Sequence, residues 1–235
     1  MPNYVTNKLH LSGEQDRIDE LLESIKGEET LFDFNKVIPM PEALNIEDGS
    51  RTDRGLEAYK NFIAVCKLDR TAERDLLNIP KEKEEAFLRA RANVSPEVWE
   101  LGKTAFQNEQ LYGARSWYWW CIHNWGSKWN AMDTNVIDGS TIIFDTAWSN
   151  VYPVIEKLAE RFPDIKFDYC WADEDLGSNV GTAGFENGET VHCSFLENRS
   201  KEAFEFAAEI LNYDLGEEGY VFNEKTGTYE WKDES

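Results

Sequence analysis

Asn135-Val136-Ile137-Asp138-Gly139-Ser140-Thr141-Ile142-Ile143-Phe144 is the stretch whose reading decides the fold. Asp-Gly between two β-rich runs marks a tight hairpin, because both turn residues must adopt positive φ. The flanking runs predict strands over Trp129–Ile137 and Thr141–Trp148. In the second, Ile142, Phe144, Thr146 and Trp148 share one face by the two-residue period.

Outward from this hairpin the same logic extends in both directions. Downstream, Ser149 or Asn150 is placed to cap a helix. Val151, Val154, Ile155, Leu158, Ala159 and Phe162 line one side of it, and Pro163 stops it. Ile165–Trp171 then reads as a strand. Upstream, Val5–Leu11 alternates, with Val5, Asn7, Leu9 and Leu11 on one face. Ser12 and Gln15 have capping-box spacing, Ile18, Leu21, Leu22 and Ile25 form a helix face, and Gly27 ends it. The order is β-α-(long gap)-β-β-α-β. It predicts an α+β, ferredoxin-like antiparallel sheet of four strands with both helices on one face.

Later segments extend the framework. Val180–Glu186 and Glu189–Leu196 flank Asn187-Gly188, a second hairpin signal. Ser200 starts a helix reaching about Tyr213, with Phe204, Ala207, Ala208 and Leu211 on one face. Tyr220–Asn223 and Thr228–Trp231 form a last hairpin, and 232–235 reads as a frayed tail. These spacings divide the chain into a ferredoxin-like domain with C-terminal extension (1–28 with 126–235) and a mainly helical insertion (29–125). Within the insertion, Phe32–Pro41 reads as extended and Asn45–Asp53 as a loop. Helices are expected at 55–67, 82–92, 96–107 and 115–125, the third opening on Ser95-Pro96. Gly126 is placed as the C-cap of the fourth.

The chain has 235 residues and a formal charge of −21. Residues 1–50 carry 4 basic and 11 acidic side chains, 51–110 carry 11 of each, and 111–235 carry 9 and 23. The acidity therefore sits at the two ends of the chain. Such a field repels phosphate backbones and favours a basic partner. No direct nucleic-acid binding is expected. No run approaches the length of a membrane span and no secretory signal opens the chain, so a cytoplasmic protein with no membrane association is expected. The four cysteines, at 66, 121, 170 and 193, lack C-x-x-C spacing and read as buried, reduced thiols.

Aromatic residues concentrate in Trp117-Tyr118-Trp119-Trp120-Cys121-Ile122-His123-Asn124-Trp125. Core packing explains this block, since the basic rim of a base-stacking platform is missing. A ligand pocket lined by Trp117, Trp120, Trp125, Trp129 and Trp148, with Asp145, Asp173 or His123 as polar groups, is the alternative. No metal site is expected: Cys121 with His123, and His192 with Cys193, match no zinc spacing, and neighbours on a strand face opposite ways. Asp173-Glu174-Asp175 fails the calcium-loop pattern at Gly177 and Gly184. Phosphate-loop, dinucleotide, nucleophile-elbow and zinc-protease motifs are absent, and no cofactor is expected.

Four segments together resemble a known family: Pro2-Asn3-Tyr4-Val5-Thr6-Asn7-Lys8-Leu9, Phe32-Asp33-Phe34-Asn35-Lys36-Val37-Ile38-Pro39-Met40-Pro41, Trp125-Gly126-Ser127-Lys128-Trp129-Asn130-Ala131, and Phe144-Asp145-Thr146-Ala147-Trp148. The chain is similar to the YubB-type (Api-like) proteins of phages, conjugative plasmids and genomic islands. The resemblance implies a ferredoxin-like domain and a mobile-element origin, and implies no activity or catalytic residue. The expectation is a non-enzymatic accessory protein of the host cell's cytosol. It would bind a host protein with a basic surface, such as a defence or nucleic-acid-handling factor. Asp173, Glu174, Asp175, Glu217 and Glu218 are the candidate partner-binding acids. An enzyme or small-ligand protein using the aromatic pocket is the alternative.

Overall fold

Strand β1 (Tyr4–Ser12) alternates along its length, burying Val5, Asn7, Leu9 and Leu11, and leads into helix α1 (Gln15–Ile25). In chain order there follow α2 (Phe34–Val37), α3 (Ser50–Leu68), α4 (Lys81–Arg91), α5 (Pro96–Tyr112) and α6 (Trp117–Trp125). The hairpin β2 (Met132–Ile137) and β3 (Thr141–Ala147) comes next, then α7 (Tyr152–Arg161) and β4 (Lys166–Asp173). A second hairpin, β5 (Gly181–Glu186) with β6 (Glu189–Phe195), precedes α8 (Lys201–Leu211) and the hairpin β7 (Tyr220–Asn223) with β8 (Thr228–Trp231). The computed structural model describes residues 3–68, 79–91 and 94–232.

The sheet order is β2-β3-β1-β4-β5-β6, and every neighbouring pair is antiparallel. Its first four strands stand in the ferredoxin-like order anticipated from the β-α-β-β-α-β sequence, and β5 and β6 prolong the sheet beyond β4. Both predicted tight turns form. Asp138 and Gly139 have φ of 52° and 72°, and Asn187 and Gly188 have φ of 54° and 78°. Strand β6 ends the sheet, and all seven of its residues are exposed.

The chain divides into two compact units, 1–39 with 122–235, and 40–121. In the first, one sheet face buries Leu9, Phe144, Phe167, Tyr169 and Trp171, matched by Ile18, Leu21 and Ile25 of α1 and by Val154, Ile155 and Leu158 of α7. Each such aliphatic or aromatic side chain contributes roughly 1.5–3 kcal/mol when fully buried. The opposite face is partly covered by α8, where Phe204 and Ala207 pack with Ala172 and Val180. The β7–β8 hairpin closes over Phe204, whose ring centroid lies 5.1 Å from that of Tyr220 and 5.7 Å from that of Tyr229.

One polar network runs through this core. Asn7 Nδ2 donates to the Val5 carbonyl and to Thr146 Oγ1, both at 2.8 Å. Tyr169 Oη donates to Asn7 Oδ1 at 2.5 Å and accepts from the Val151 amide at 3.0 Å. Burial pushes the Tyr169 phenol well above its ordinary pKa, against the opposing effect of the bond from the Val151 amide. The network ties β1, β3, β4 and the start of α7 together without leaving a buried polar group on these side chains unmet.

The second unit packs α3 on α5 around Tyr59, Phe62, Trp99 and Phe106. Inside it, Glu84 accepts from Trp99 Nε1 at 2.6 Å and pairs with Lys103 Nζ at 2.7 Å. Arg115 pairs with Asp48 at 2.8 Å and also with Asp53.

Several expectations need correction. Ser12 caps nothing: α1 starts at Gln15 with Glu14 as N-cap and no side-chain cap bond, and Gln15 Nε2 reaches Asp19 instead. Neither Ser149 nor Asn150 is the cap of α7: Val151 is its N-cap with no side-chain cap bond, and Asn150, one residue earlier, accepts from the Tyr152 amide at 3.0 Å. Phe32–Pro41 is not wholly extended, because Asp33 caps the short helix α2 by accepting from the Asn35 amide at 2.9 Å. Helix α3 begins at Ser50, inside the expected loop. Strand β2 begins at Met132, so Trp129 lies in the loop before it, and β3 ends at Ala147, so Trp148 does not share its buried face. Cys193 is exposed and Cys170 half-buried, unlike the buried Cys66 and Cys121. Residue 92 of the expected helix 82–92, and 233–235 of the expected tail, lie outside the described residues. No helix among the described residues is long and apolar enough to cross a membrane.

Candidate functional site

One end of the sheet gathers the first residues of β1 and β5 with the last residues of β3, β4 and β6. Antiparallel pairing brings this about: Tyr4 lies opposite Ala147, Val5 opposite Asp173, and Gly181 opposite Phe195. Side chains far apart in sequence meet here because these strands begin or end at one level.

The acids at this end differ in environment. Asp145 is half-buried beside Thr6, whose Oγ1 donates to Asp145 Oδ1 at 2.8 Å. Burial raises the Asp145 pKa above the ordinary carboxylate range; the Thr6 bond opposes the rise, and Asp133 and Glu174 add to it. Asp133 reaches this position through an irregularity between Met132 and Asn135, where β2 slips in register against β3 and Asp133 takes a φ of 46°. Glu174 is exposed and accepts from the Tyr4 amide at 3.1 Å. Asp173 is buried, accepting from Asn3 Nδ2 at 3.1 Å and from the Asp175 amide at 2.9 Å. Asp175 is paired to Arg199 at 2.7 Å.

The predicted partner-binding acids thus separate. Glu174 is presented to solvent, Asp173 holds a turn, and Asp175 is partly neutralised by Arg199. Glu217 and Glu218 lie elsewhere, in the turn between α8 and β7, where Asp214 Oδ1 accepts the Glu217 amide at 3.0 Å. Glu217 also borders an open hollow with Glu205, Glu209, Asp214, Tyr220 and Tyr229.

The five predicted tryptophans divide as well. Trp120 and Trp125 are buried, with Trp125 Nε1 donating to the Ile38 carbonyl at 2.9 Å, and Trp117 is half-buried on α6. Trp129 and Trp148 are exposed, at 37% and 46%. Trp148 takes a φ of 70°, in the left-handed region that a bulky side chain rarely adopts. Its amide donates to the Asn3 carbonyl at 2.9 Å and its carbonyl accepts from Asn179 Nδ2 at 3.3 Å. These bonds fix the backbone so that the indole points outward rather than into the core.

Lys128 and Asp133 were not singled out as functional by sequence. Lys128 Nζ lies 3.8 Å from the ring centroids of both Trp129 and Trp148. The signal for it was present in Lys128-Trp129, but its second indole is twenty residues away and only the fold brings it near. His123 and His192 are both exposed, His192 Nε2 standing 3.4 Å from Thr182 Oγ1. Among the described residues, no three His, Cys, Asp or Glu side chains converge to hold a metal ion. Burial pushes the Cys121 thiol up to about 12 and the Cys170 thiol up to about 11, which leaves both protonated and weakly nucleophilic near neutral pH.

Residues 124–214 match the family described as the ferredoxin-like domain in Api92-like protein. The stretch covers the β2–β3 hairpin, α7, β4 to β6 and α8, so the Api-like resemblance read from sequence holds across the part of the chain that builds most of this sheet end. Among solved structures, the crystal structure of a protein api92 from Yersinia pseudotuberculosis is similar at 12% identity and a TM-score of 0.43, over 84% of this chain and 99% of that one. The search of curated proteins gives no match.

Proposed function

We propose that this Api-like, ferredoxin-like chain is a non-enzymatic accessory protein that binds a basic surface of a host protein, using the acidic end of its sheet. The observation that carries the reading is Asp145. It is a carboxylate kept half-buried, with its pKa raised by burial and by Asp133 and Glu174, where an amide would be less costly. Groups held against their own ionisation preference concentrate at functional sites. At the same end of the sheet are Glu174 and two exposed tryptophans, a combination of acid and aromatic area that suits lysine and arginine side chains.

The net charge of −21 adds long-range attraction for such a partner. A host defence or nucleic-acid-handling factor offers the matching surface, because its groove is built to hold phosphates and an array of carboxylates imitates them. A mobile-element origin, which the sequence resemblance implies, fits this role.

The test is capture from nuclease-treated host lysate, comparing the native chain with the Asp133→Asn, Asp145→Asn, Glu174→Gln triple variant at low and high salt. A basic protein retained by the native chain, and lost both in the variant and at high salt, is expected. A captured protein indifferent to the variant and to salt overturns the reading.

A further inference from the structure

Lys128 is placed differently from the lysines that pair with carboxylates on this chain, such as Lys103 and Lys166. Among the described residues no carboxylate pairs with it, and its ammonium sits between two indoles, 3.8 Å from each ring centroid. The faces of aromatic rings attract cations through their quadrupoles, tryptophan most strongly. Two rings disposed around one ammonium define a clamp whose shape and charge preference are set whether or not Lys128 is the occupant.

The construction of the clamp points beyond packing. Both rings are substantially exposed rather than turned into the core. Trp148 is held outward by a left-handed backbone, pinned by Asn3 and Asn179 on its two sides. A conformation disfavoured for tryptophan and maintained by its surroundings marks a constraint other than folding. Asp145 lies three residues before Trp148, with Asp133 and Glu174 close enough to raise its pKa, and Glu174 is bonded to the Tyr4 amide opposite Ala147. Asp133, Asp145 and Glu174 thus gather negative charge at the same end of the sheet.

We propose that Trp129 and Trp148 form a binding site for an alkylammonium group, occupied by Lys128 in the free protein and taken over by a lysine side chain of the basic partner on binding. This deepens the reading above and rests on it for the identity of the partner, though not for the clamp itself. Lys128 acts as a resident stand-in: it keeps the indoles apart and solvated on one edge, and its displacement couples release of an internal cation to capture of an external one. Exchange of one ammonium for another leaves the cation–π contacts equal in kind.

The experiment uses the full chain with 15N-labelled tryptophan indoles, the two signals being assigned with Trp129→Phe and Trp148→Phe. Lys128→Ala is titrated with tetramethylammonium chloride, with sodium chloride at equal ionic strength and with neutral tert-butanol as controls. Saturable movement of both indole signals with tetramethylammonium alone is expected, at least several-fold weaker in the native chain and absent in Lys128→Ala with Trp148→Ala. No saturable movement in Lys128→Ala with a preserved spectrum, or an equal response to tert-butanol, overturns the clamp. Saturable binding of tetramethylammonium with no basic protein captured from lysate retains the clamp and removes the partner.

Discussion

Thr6 Oγ1 and Asp145 Oδ1 are joined by a 2.8 Å hydrogen bond across the β1–β3 pair, and this bond favours an otherwise disfavoured charge. The Asp145 pKa is raised in the folded chain. The folded state thus binds its proton more tightly than the unfolded state does, and stability falls as pH rises from the unfolded value of about 3.9 through the raised folded value. Asp145→Asn is expected to be the more stable form at pH 7, because it removes the charge that burial disfavours. The gain fades as pH falls and is gone well below about pH 4, where Asp145 is protonated in folded and unfolded chain alike. Thermal melts at the two pH values check this; a variant less stable than the native chain at pH 7 contradicts it.

Gly55 and Gly102 let α3 and α5 cross in backbone contact. A Cβ on Gly102 would stand 1.9 Å from the Gly55 carbonyl carbon, and one on Gly55 would stand 2.1 Å from the Val98 carbonyl oxygen. Gly102→Ala should destabilise the second unit by roughly 1–3 kcal/mol or more through overpacking, although alanine is the better helix former. Urea unfolding measures it, and a stabilised variant would show that the helices separate without cost.

Tyr169 serves both Asn7 and the Val151 amide, so Tyr169→Phe leaves a buried acceptor and a buried donor unmet. The expected loss is roughly 1–3 kcal/mol, far more than the change in apolar area alone implies. Asn7→Leu removes different partners of the same network, and its effect should combine with Tyr169→Phe less than additively. A double-mutant cycle in chemical unfolding gives the coupling.

Trp148→Gly and Trp148→Ala both delete the indole, and differ only in how the backbone tolerates a φ of 70°. Glycine should be the more stable of the two by roughly 1–2 kcal/mol, the cost of the left-handed conformation for a residue with a Cβ. Both variants should lose tetramethylammonium binding. Equal stability would mean the backbone relaxes out of the left-handed region once the ring is gone.

Much of the sheet was legible because its signals are local. Asp138-Gly139 and Asn187-Gly188 demand positive φ, and the alternation of Val5 to Leu11 names its own buried face. The failures share a cause too. Trp148 continues the alternation of Ile142, Phe144 and Thr146 in sequence, yet bonds from its amide to Asn3 and from Asn179 to its carbonyl hold it out of the strand. Ser12 and Gln15 have the spacing of a cap, but Gln15 finds Asp19 and the carbonyl of Gly139 instead.

The sequence by itself determined the ferredoxin-like strand order, the turns and the acidic charge, because periodicity, turn chemistry and composition act over a few residues or are simple sums. Only the tertiary structure decided which acids are exposed, which tryptophans leave the core, and that Lys128 lies between Trp129 and Trp148. Burial, shifted ionisation and cation–π contact depend on distances between residues remote in the chain, and strand pairing sets those distances.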